Sequence, residues 1–397
     1  LQRSVEQGQT GKPRLARLAD QVASWFVGAI LLVTLATAAV WSQLAPEQAF
    51  WITLSVLVIS CPCALALATP AALTNAASAL RSSGVIVRGE NALESLSRAT
   101  HFIFDKTGTL TEGSLAIEQV HLLGDLPREE VLAIAAAMQQ YSNHPVARAF
   151  QDLAHVTTLH DVKYHVGAGL EASAAGHLYT MGSEQFCRSH AASLGPPPQP
   201  PLYWVALCRD SVPLAWIGLN DRTRPEAPAV INAAKEAGLQ VELLTGDSSA
   251  QGTLLAEELG IRSVKSGLQP QEKMAHVKAL QESGAVVAMV GDGLNDAPVL
   301  SLADASFAVS SATDLARTQA DFVLVDGDLH SITATWRKAR QCRGVIMQNF
   351  AWAIAYNICA IPLAACGLVP PWAAAIGMSL SSLLVVANSL RLNRETP

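Results

Sequence analysis

Two kinds of hydrophobic pattern divide the chain. Residues 1–20 are polar and basic, with Arg3, Lys12, Arg14 and Arg17, and then Val22 to Leu44 is uncharged and long enough to span a bilayer. Ala45-Pro46-Glu47-Gln48 reads as a tight turn. A second uncharged run, Ala49 to Leu80, is too long for one simple span and is interrupted by Cys61-Pro62-Cys63 and by Pro70. Near the other end Arg337, Lys338, Arg340 and Arg343 precede an uncharged run from Gly344 to Leu390, which Gly367-Leu368-Val369-Pro370-Pro371 splits into two spans. The pattern predicts two helical transmembrane hairpins, at 21–90 and 336–397, with 1–20 as a cytoplasmic linker.

Between the hairpins the period shortens. His101 to Phe104, Val241 to Leu244 and Ala285 to Val290 are apolar runs that end in Thr, Gly and Asp, as buried strands do before a loop. Helical patterns such as Pro225 to Ala237 and Gln271 to Glu282 alternate with them, so the segments 91–115 and 218–335 predict one α/β domain with a parallel sheet. The insert, 116–217, reads as an α+β domain of its own. Its Gly195-Pro196-Pro197-Pro198-Gln199-Pro200-Pro201 stretch is a stiff surface loop with no chemistry assigned.

Composition agrees with a membrane protein: 50% of the residues are hydrophobic and only 15% charged. A net charge of -6 without a polybasic tail excludes nucleic acid as the expected partner. The basic clusters all flank the hairpins on one side and the short hairpin loops lack Lys and Arg, which puts the termini and the middle region in the cytoplasm. The expected location is a bacterial inner membrane. Seven cysteines without a CxxC pair read as reduced thiols, with Cys187, Cys208 and Cys342 structural. The chain begins at Leu1 in mid-pattern and is expected to be a fragment of a longer protein.

The chemistry centres on Phe104-Asp105-Lys106-Thr107-Gly108-Thr109-Leu110-Thr111. A strand here delivers a carboxylate to its C-terminal edge, where open α/β sheets bind ligands, and Asp can accept a phosphoryl group as a nucleophile. Further acids stand at other strand ends: Asp247 in Thr245-Gly246-Asp247, and Asp292 and Asp296 in Gly291-Asp292-Gly293-Leu294-Asn295-Asp296. Such a cluster calls for a hard cation, and Mg²⁺ with phosphate is the usual solution.

These strings, in this order, resemble the motifs of P-type ATPases, cation pumps that pass through an aspartyl-phosphate. The resemblance implies a haloacid dehalogenase-like phosphorylation domain with an inserted nucleotide-binding domain. It implies that Asp105 takes the phosphoryl group from ATP beside Lys106 and Thr107, that Asp105, Asp292 and the Thr107 carbonyl hold Mg²⁺, and that Lys273 and Thr245 contact the phosphate. Gly246 and Asp247 complete that motif, Asn295 and Asp296 support their loop, and Asp221 with Arg224 occupies the hinge. Related hydrolases carry a general acid-base Asp where this chain has Thr107, so the phosphoenzyme should persist and drive a pump. A membrane-tethered phosphatase would need an acid there.

Ser142-Asn143-His144-Pro145, Gly167-Ala168-Gly169 and Gly182 resemble the nucleotide site of the heavy-metal branch of these pumps. His144 would stack on adenine, with Gly167, Gly169 and Gly182 allowing close approach. Gln139 replaces an expected acid upstream of the His motif, and Ser183 stands where the family often has Asn. Cys61-Pro62-Cys63 resembles the membrane metal site of that branch, since Pro breaks the helix and two soft thiolates suit Cu(I). Tyr356-Asn357 and Met378 with Ser381-Ser382 resemble its Cu(I)-transporting type. The implied ligands are Cys61, Cys63, Tyr356, Asn357, Met378 and Ser382.

A Zn²⁺ or Cd²⁺ pump would be expected to place a carboxylate in the last spans, and none lies between Gly344 and Leu390. The reading is therefore ATP-driven Cu(I) export, with a lean towards supply of copper for oxidase assembly and with a copper chaperone as the expected donor. The alternatives are a pump for Zn²⁺, Cd²⁺ or Ag(I), and a non-catalytic binding or regulatory fragment. The Thr-Gly-Glu motif of the actuator domain is not found, so the missing half of the pump is itself an expected partner.

Overall fold

The computed structural model describes residues 14–393 apart from 90, 143, 155–157, 192, 200, 201, 248–250, 293–296 and 310–317. In chain order the strands are β1 (Val85–Val87), β2 (His101–Asp105), β3 (Thr111–Leu122), β4 (His160–His165), β5 (Gly169–Ala174) and β6 (His177–Gly182). They continue as β7 (Tyr203–Arg209), β8 (Val212–Thr223), β9 (Gln240–Leu244), β10 (Ser263–Lys265), β11 (Val287–Gly291), β12 (Ala305–Ala308) and β13 (Phe322–Leu324). The chain forms two compact units, one comprising residues up to Ile103, Asn232–Gln240 and those from Glu272 on, the other Phe104–Ile231 and Val241–Gln271.

Among the described residues the first unit carries four helical segments long and apolar enough to cross a membrane: Trp25–Leu44, Pro46–Ser82, His330–Ala365 and Pro371–Asn393. The tight turn expected at 45–48 shrinks to Ala45, because Pro46 needs no amide partner at the first position of the helix Pro46–Ile59. That helix stops at Ser60, and the chain resumes helix at Cys63–Ser82. Pro70 does not interrupt this second piece as the sequence suggested. It lies inside the helix with its ring exposed, where the loss of one backbone hydrogen bond is tolerated.

The helix His330–Ala365 ends in a turn at Gly367, whose φ of 77° needs glycine. The Trp41 indole Nε1 donates to Ala365 O at 2.9 Å and so satisfies one of the last carbonyls of that helix. Small residues let the helices approach closely: Val56 and Ile59 pack with Ala360, Ala364 and Ala374, and Ala64, Leu65 and Ala68 with Ala353 and Val385.

The same unit contains a row of strands in the order β1-β13-β12-β11. β1 runs antiparallel to β13, and the other neighbours are parallel. Thr100 N donates to Val286 O and Thr100 O accepts from Gln240 N, both at 2.9 Å, so β2 begins between the starts of β11 and β9. The apolar runs are buried, as expected for parallel strands covered on both faces. The rings of Phe102, Phe307 and Phe322 pack in sequence at 6.4 and 4.7 Å.

In the second unit β9 and β10 pair in parallel, and six strands form an antiparallel sheet in the order β3-β8-β7-β6-β5-β4. The helix Arg128–Gln139 lays Val131, Ile134, Ala135 and Met138 on a core of Leu170, Met181, Leu207 and Ile217. β3 and β8 are each 12 residues long and pair from Thr111 opposite Thr223 to Leu122 opposite Ala215.

Candidate functional site

β2 is apolar up to Phe104 and ends on Asp105, whose side chain is largely buried. The next residues leave the strand in a turn closed by Gly108 at φ 69°. Thr107 is exposed, whereas Lys106 and Thr109 are buried. The Lys106 ammonium pairs with the Asp247 carboxylate and lies 3.5 Å from Gln251 Oε1. The structure thus joins the loop after β2 to Thr245-Gly246-Asp247 after β9. That second loop is fixed in turn: Asp247 N donates to Thr245 Oγ1 at 3.1 Å, and Thr245 O and Asp247 O accept from Leu268 N and Gly267 N.

Asp221 and Arg224, expected at a hinge, grip the loop after β2. The Asp221 carboxylate accepts from Gly113 N and Ser114 N, and the Thr111 hydroxyl lies against both this carboxylate and Lys106 O. Burial pushes the Asp221 carboxyl up, against the pull of the Thr111 and amide hydrogen bonds. Arg224 donates through Nε to Thr111 O at 3.1 Å and through Nη2 to Gly108 O at 3.3 Å. The part of Thr111 was not foreseen; its signal was its place at the end of the motif.

Lys273 and Asp292 belong to the other unit. Lys273 is buried in the first turn of the helix Pro270–Glu282, and Asp292 is buried immediately after β11. Asn295 and Asp296 lie outside the described residues, as does Asn143.

The nucleotide-site expectations come together around one cavity of about 190 Å³ in the second unit, which His144, Gly167, Gly169 and Gly182 line with Gln139, Tyr164 and Met181. The His144 ring accepts from Val146 N through Nδ1, which fixes the ring and leaves the neutral form's proton on Nε2. The glycines have different reasons. Gly167 adopts φ 72° with open space around it. Gly169 and Gly182 face each other across β5 and β6, and a Cβ on either would fall within 3 Å of the opposite backbone and the Phe186 ring.

In the membrane-length helices the expected reduced thiols Cys61 and Cys63 are corrected: the two sulfurs form a disulfide. The turn at Pro62 brings their Cα atoms to 5.4 Å, a separation that a disulfide spans. Among the described residues the Tyr356 hydroxyl, Asn357 Oδ1 and the Ser381 hydroxyl are buried without a hydrogen-bond partner. The Tyr356 hydroxyl abuts Gly377, beside Met378. Asn357 and Pro62 share the wall of an apolar cavity of about 520 Å³. Ser382 is half-buried and Ser381 is the more enclosed of the pair, a distinction that helical spacing alone could not supply. Among the described residues no three His, Cys, Asp or Glu side chains cluster as a metal site.

An aspartate at the end of a parallel strand, a lysine paired across two strand-end loops and an inserted sheet define a class of phosphoryl-handling hydrolase. A haloacid dehalogenase-like hydrolase profile matches residues 99–304, and the chain belongs to that family. Its kinship within that family is with P-type ATPases. It is 38% identical to cation-transporting P-type ATPase B of Mycobacterium bovis and 36% identical to a copper-exporting P-type ATPase of Mycobacterium tuberculosis, over 98% and 99% of this chain. The chain spans about half the length of these relatives, 54% and 53%. Among solved structures it is similar to a zinc-transporting PIB-type ATPase in the E2.Pi state, with a TM-score of 0.86 and 30% identity over 99% of this chain and 66% of that one.

Proposed function

We propose that this chain is the phosphorylated, ion-binding part of a pump that exports Cu(I) from the cytoplasm at the expense of ATP. In this reading 21–90 and 336–397 are its transmembrane hairpins, with 1–20 a cytoplasmic linker. Segments 91–115 and 218–335 are the phosphorylation domain, and 116–217 is the nucleotide-binding domain. An Asp105 oxygen bonds to the γ-phosphorus of ATP as the bond to the bridging oxygen breaks and ADP leaves. Water later cleaves the aspartyl-phosphate. Thr107, which cannot serve as general base, lets that intermediate persist.

The observation that carries the transport reading is the helix break at Ser60, Cys61 and Pro62 between two helices of membrane character. When reduced, Cys61 and Cys63 supply soft thiolates there. Tyr356, Asn357 and Met378 with Ser381 or Ser382 supply neutral ligands without adding charge, which suits a monovalent ion. Mg²⁺ fits the donor set of Asp105, Asp292 and the Thr107 carbonyl, all hard oxygens, and when bound it neutralises phosphate charge. Lys273 and Thr245 would hold the phosphoryl group, and Asn295 and Asp296 would support their loop.

A Zn²⁺ pump is the second reading, favoured by the similarity to the zinc-transporting ATPase. Acid-stable labelling of the reduced, membrane-inserted chain by γ-labelled ATP separates the two. Label that requires Asp105 and rises with Cu(I) but not Zn²⁺ is expected. Label that answers to Zn²⁺ alone overturns the choice of ion, and none in folded protein overturns catalysis by this chain.

A further inference from the structure

Gln139 ends the helix Arg128–Gln139 and faces the cavity that holds His144 and the three glycines. Its side chain is only 6% exposed. Its Nε2 donates to the Met181 sulfur at 3.5 Å, and its Oε1 is buried without a partner among the described residues. A buried amide oxygen left so is costly unless a ligand donates to it. A thioether is a weak acceptor, so little holds the amide in one orientation.

The cavity also limits what can enter. At about 190 Å³ it is smaller than the roughly 300 Å³ at which sites for whole small ligands begin, so it admits a fragment. Among the described residues Glu184 is the only Asp, Glu, Lys or Arg side chain lining it, so these offer no Lys or Arg to a triphosphate. A purine fits such a place with its ribose and phosphates outside. The six-membered ring, remote from the ribose bond at N9, then lies deepest, where Gln139 is.

We infer that Gln139 reads the 6-substituent of the purine and that its amide accepts either a 6-amino or a 6-oxo group. This rests on the cavity being the nucleotide site. For adenine, Oε1 accepts from the 6-amino group. Rotation of the amide by half a turn loses only the weak contact to sulfur and lets Nε2 donate to a 6-oxo oxygen. A carboxylate in this place would keep the first contact and repel the oxygen of the second. The chain should therefore discriminate poorly between ATP and ITP.

The test is displacement of a fluorescent ATP analogue from the full chain in nanodiscs, on an Asp105→Asn background so that nucleotide is not consumed. ATP and ITP are expected to bind within about tenfold of one another. Gln139→Glu is expected to open a preference for ATP of at least tenfold, and Gln139→Met, an apolar substitute of similar length, to weaken both nucleotides several-fold. ITP binding a hundredfold weaker than ATP in the parent chain, or an ATP to ITP ratio unmoved by Gln139→Glu, overturns the inference and leaves the nucleotide site standing. Failure of both nucleotides to bind folded chain overturns the site and the inference together.

Discussion

Lys106 places its buried ammonium on the carboxylate of Asp247, so the residue next to Asp105 is tied to a loop 141 positions further along the chain. Asp247→Ala leaves a buried ammonium without its carboxylate. The expected cost is about 2 kcal/mol, below the usual range for a buried pair because Asp247 is 29% exposed. Thermal unfolding of Lys106→Met, Asp247→Ala and the double variant checks it, the double variant being expected to lose less than the sum. Phosphoenzyme formation should fall at least tenfold in Asp247→Ala.

Arg224 holds two carbonyls of the loop after β2, Thr111 O and Gly108 O, with one planar fork. Arg224→Lys keeps the charge but cannot span Thr111 O and Gly108 O together. The rate of labelling in a single turnover should drop several-fold while nucleotide affinity, which the proposed function assigns to a different cavity, stays within twofold.

The three glycines of the cavity beside His144 should rank by cause. Gly169→Ala and Gly182→Ala force a Cβ into backbone at 2.4 and 2.3 Å and should each destabilise by about 1–3 kcal/mol. Gly167→Ala meets nothing and suffers only from its left-handed backbone, about 1 kcal/mol. Thermal unfolding of the three variants reads the order.

Burial raises the Asp321 carboxyl from its ordinary 3.8 to about 6, although Ser306 donates to it from both backbone and side chain. The folded chain therefore binds this proton more tightly than the unfolded chain. The stability it contributes is fully present below about pH 4 and is lost as pH rises through 6. Asp321→Asn should raise stability at pH 7.5 by the order of 2 kcal/mol and flatten its dependence between pH 4 and 6. Melting temperature against pH in both proteins decides this.

The disulfide of Cys61 and Cys63 leaves five of the seven cysteines free. Maleimide labelling of unfolded chain should count five thiols before reduction and seven after. Stimulation of phosphoenzyme by Cu(I) should appear only in the reduced chain, because a disulfide offers no thiolate. Equal stimulation without reductant would sink the assignment of these sulfurs as ligands.

Much of this was legible because strong local patterns state it. Apolar runs ending in Asp gave β2 and β9 within a residue, and uncharged runs gave the membrane-length helices. Pro70 misled because a proline rule for helices in water ignores what packed neighbours tolerate. The grip of Asp221 and Arg224 on residues 108–114 was not visible, since contacts over more than a hundred residues leave no periodic trace. Gln139 looked like a departure from a motif, and only the cavity around it showed an amide oxygen without a partner. The two cysteines were read by their chemistry as ligands, whereas their oxidation follows from how near a two-residue spacing around Pro62 brings them.

The chain enters the inserted sheet on β3 and leaves it on β8, a long pair within that sheet. The pair begins beside the loop after β2, with Thr111 on one strand opposite Thr223 on the other. Up to Leu219 β8 is also paired with β7, and beyond it β3 and β8 run on as a two-stranded ribbon, the form of sheet that twists most. If the cavity binds a purine as proposed, torque on the far strands would reach the loop as rotation of this short ribbon, with Thr111 and Asp221 at its root. The insert is thus mounted on a torsion spring rather than a tether.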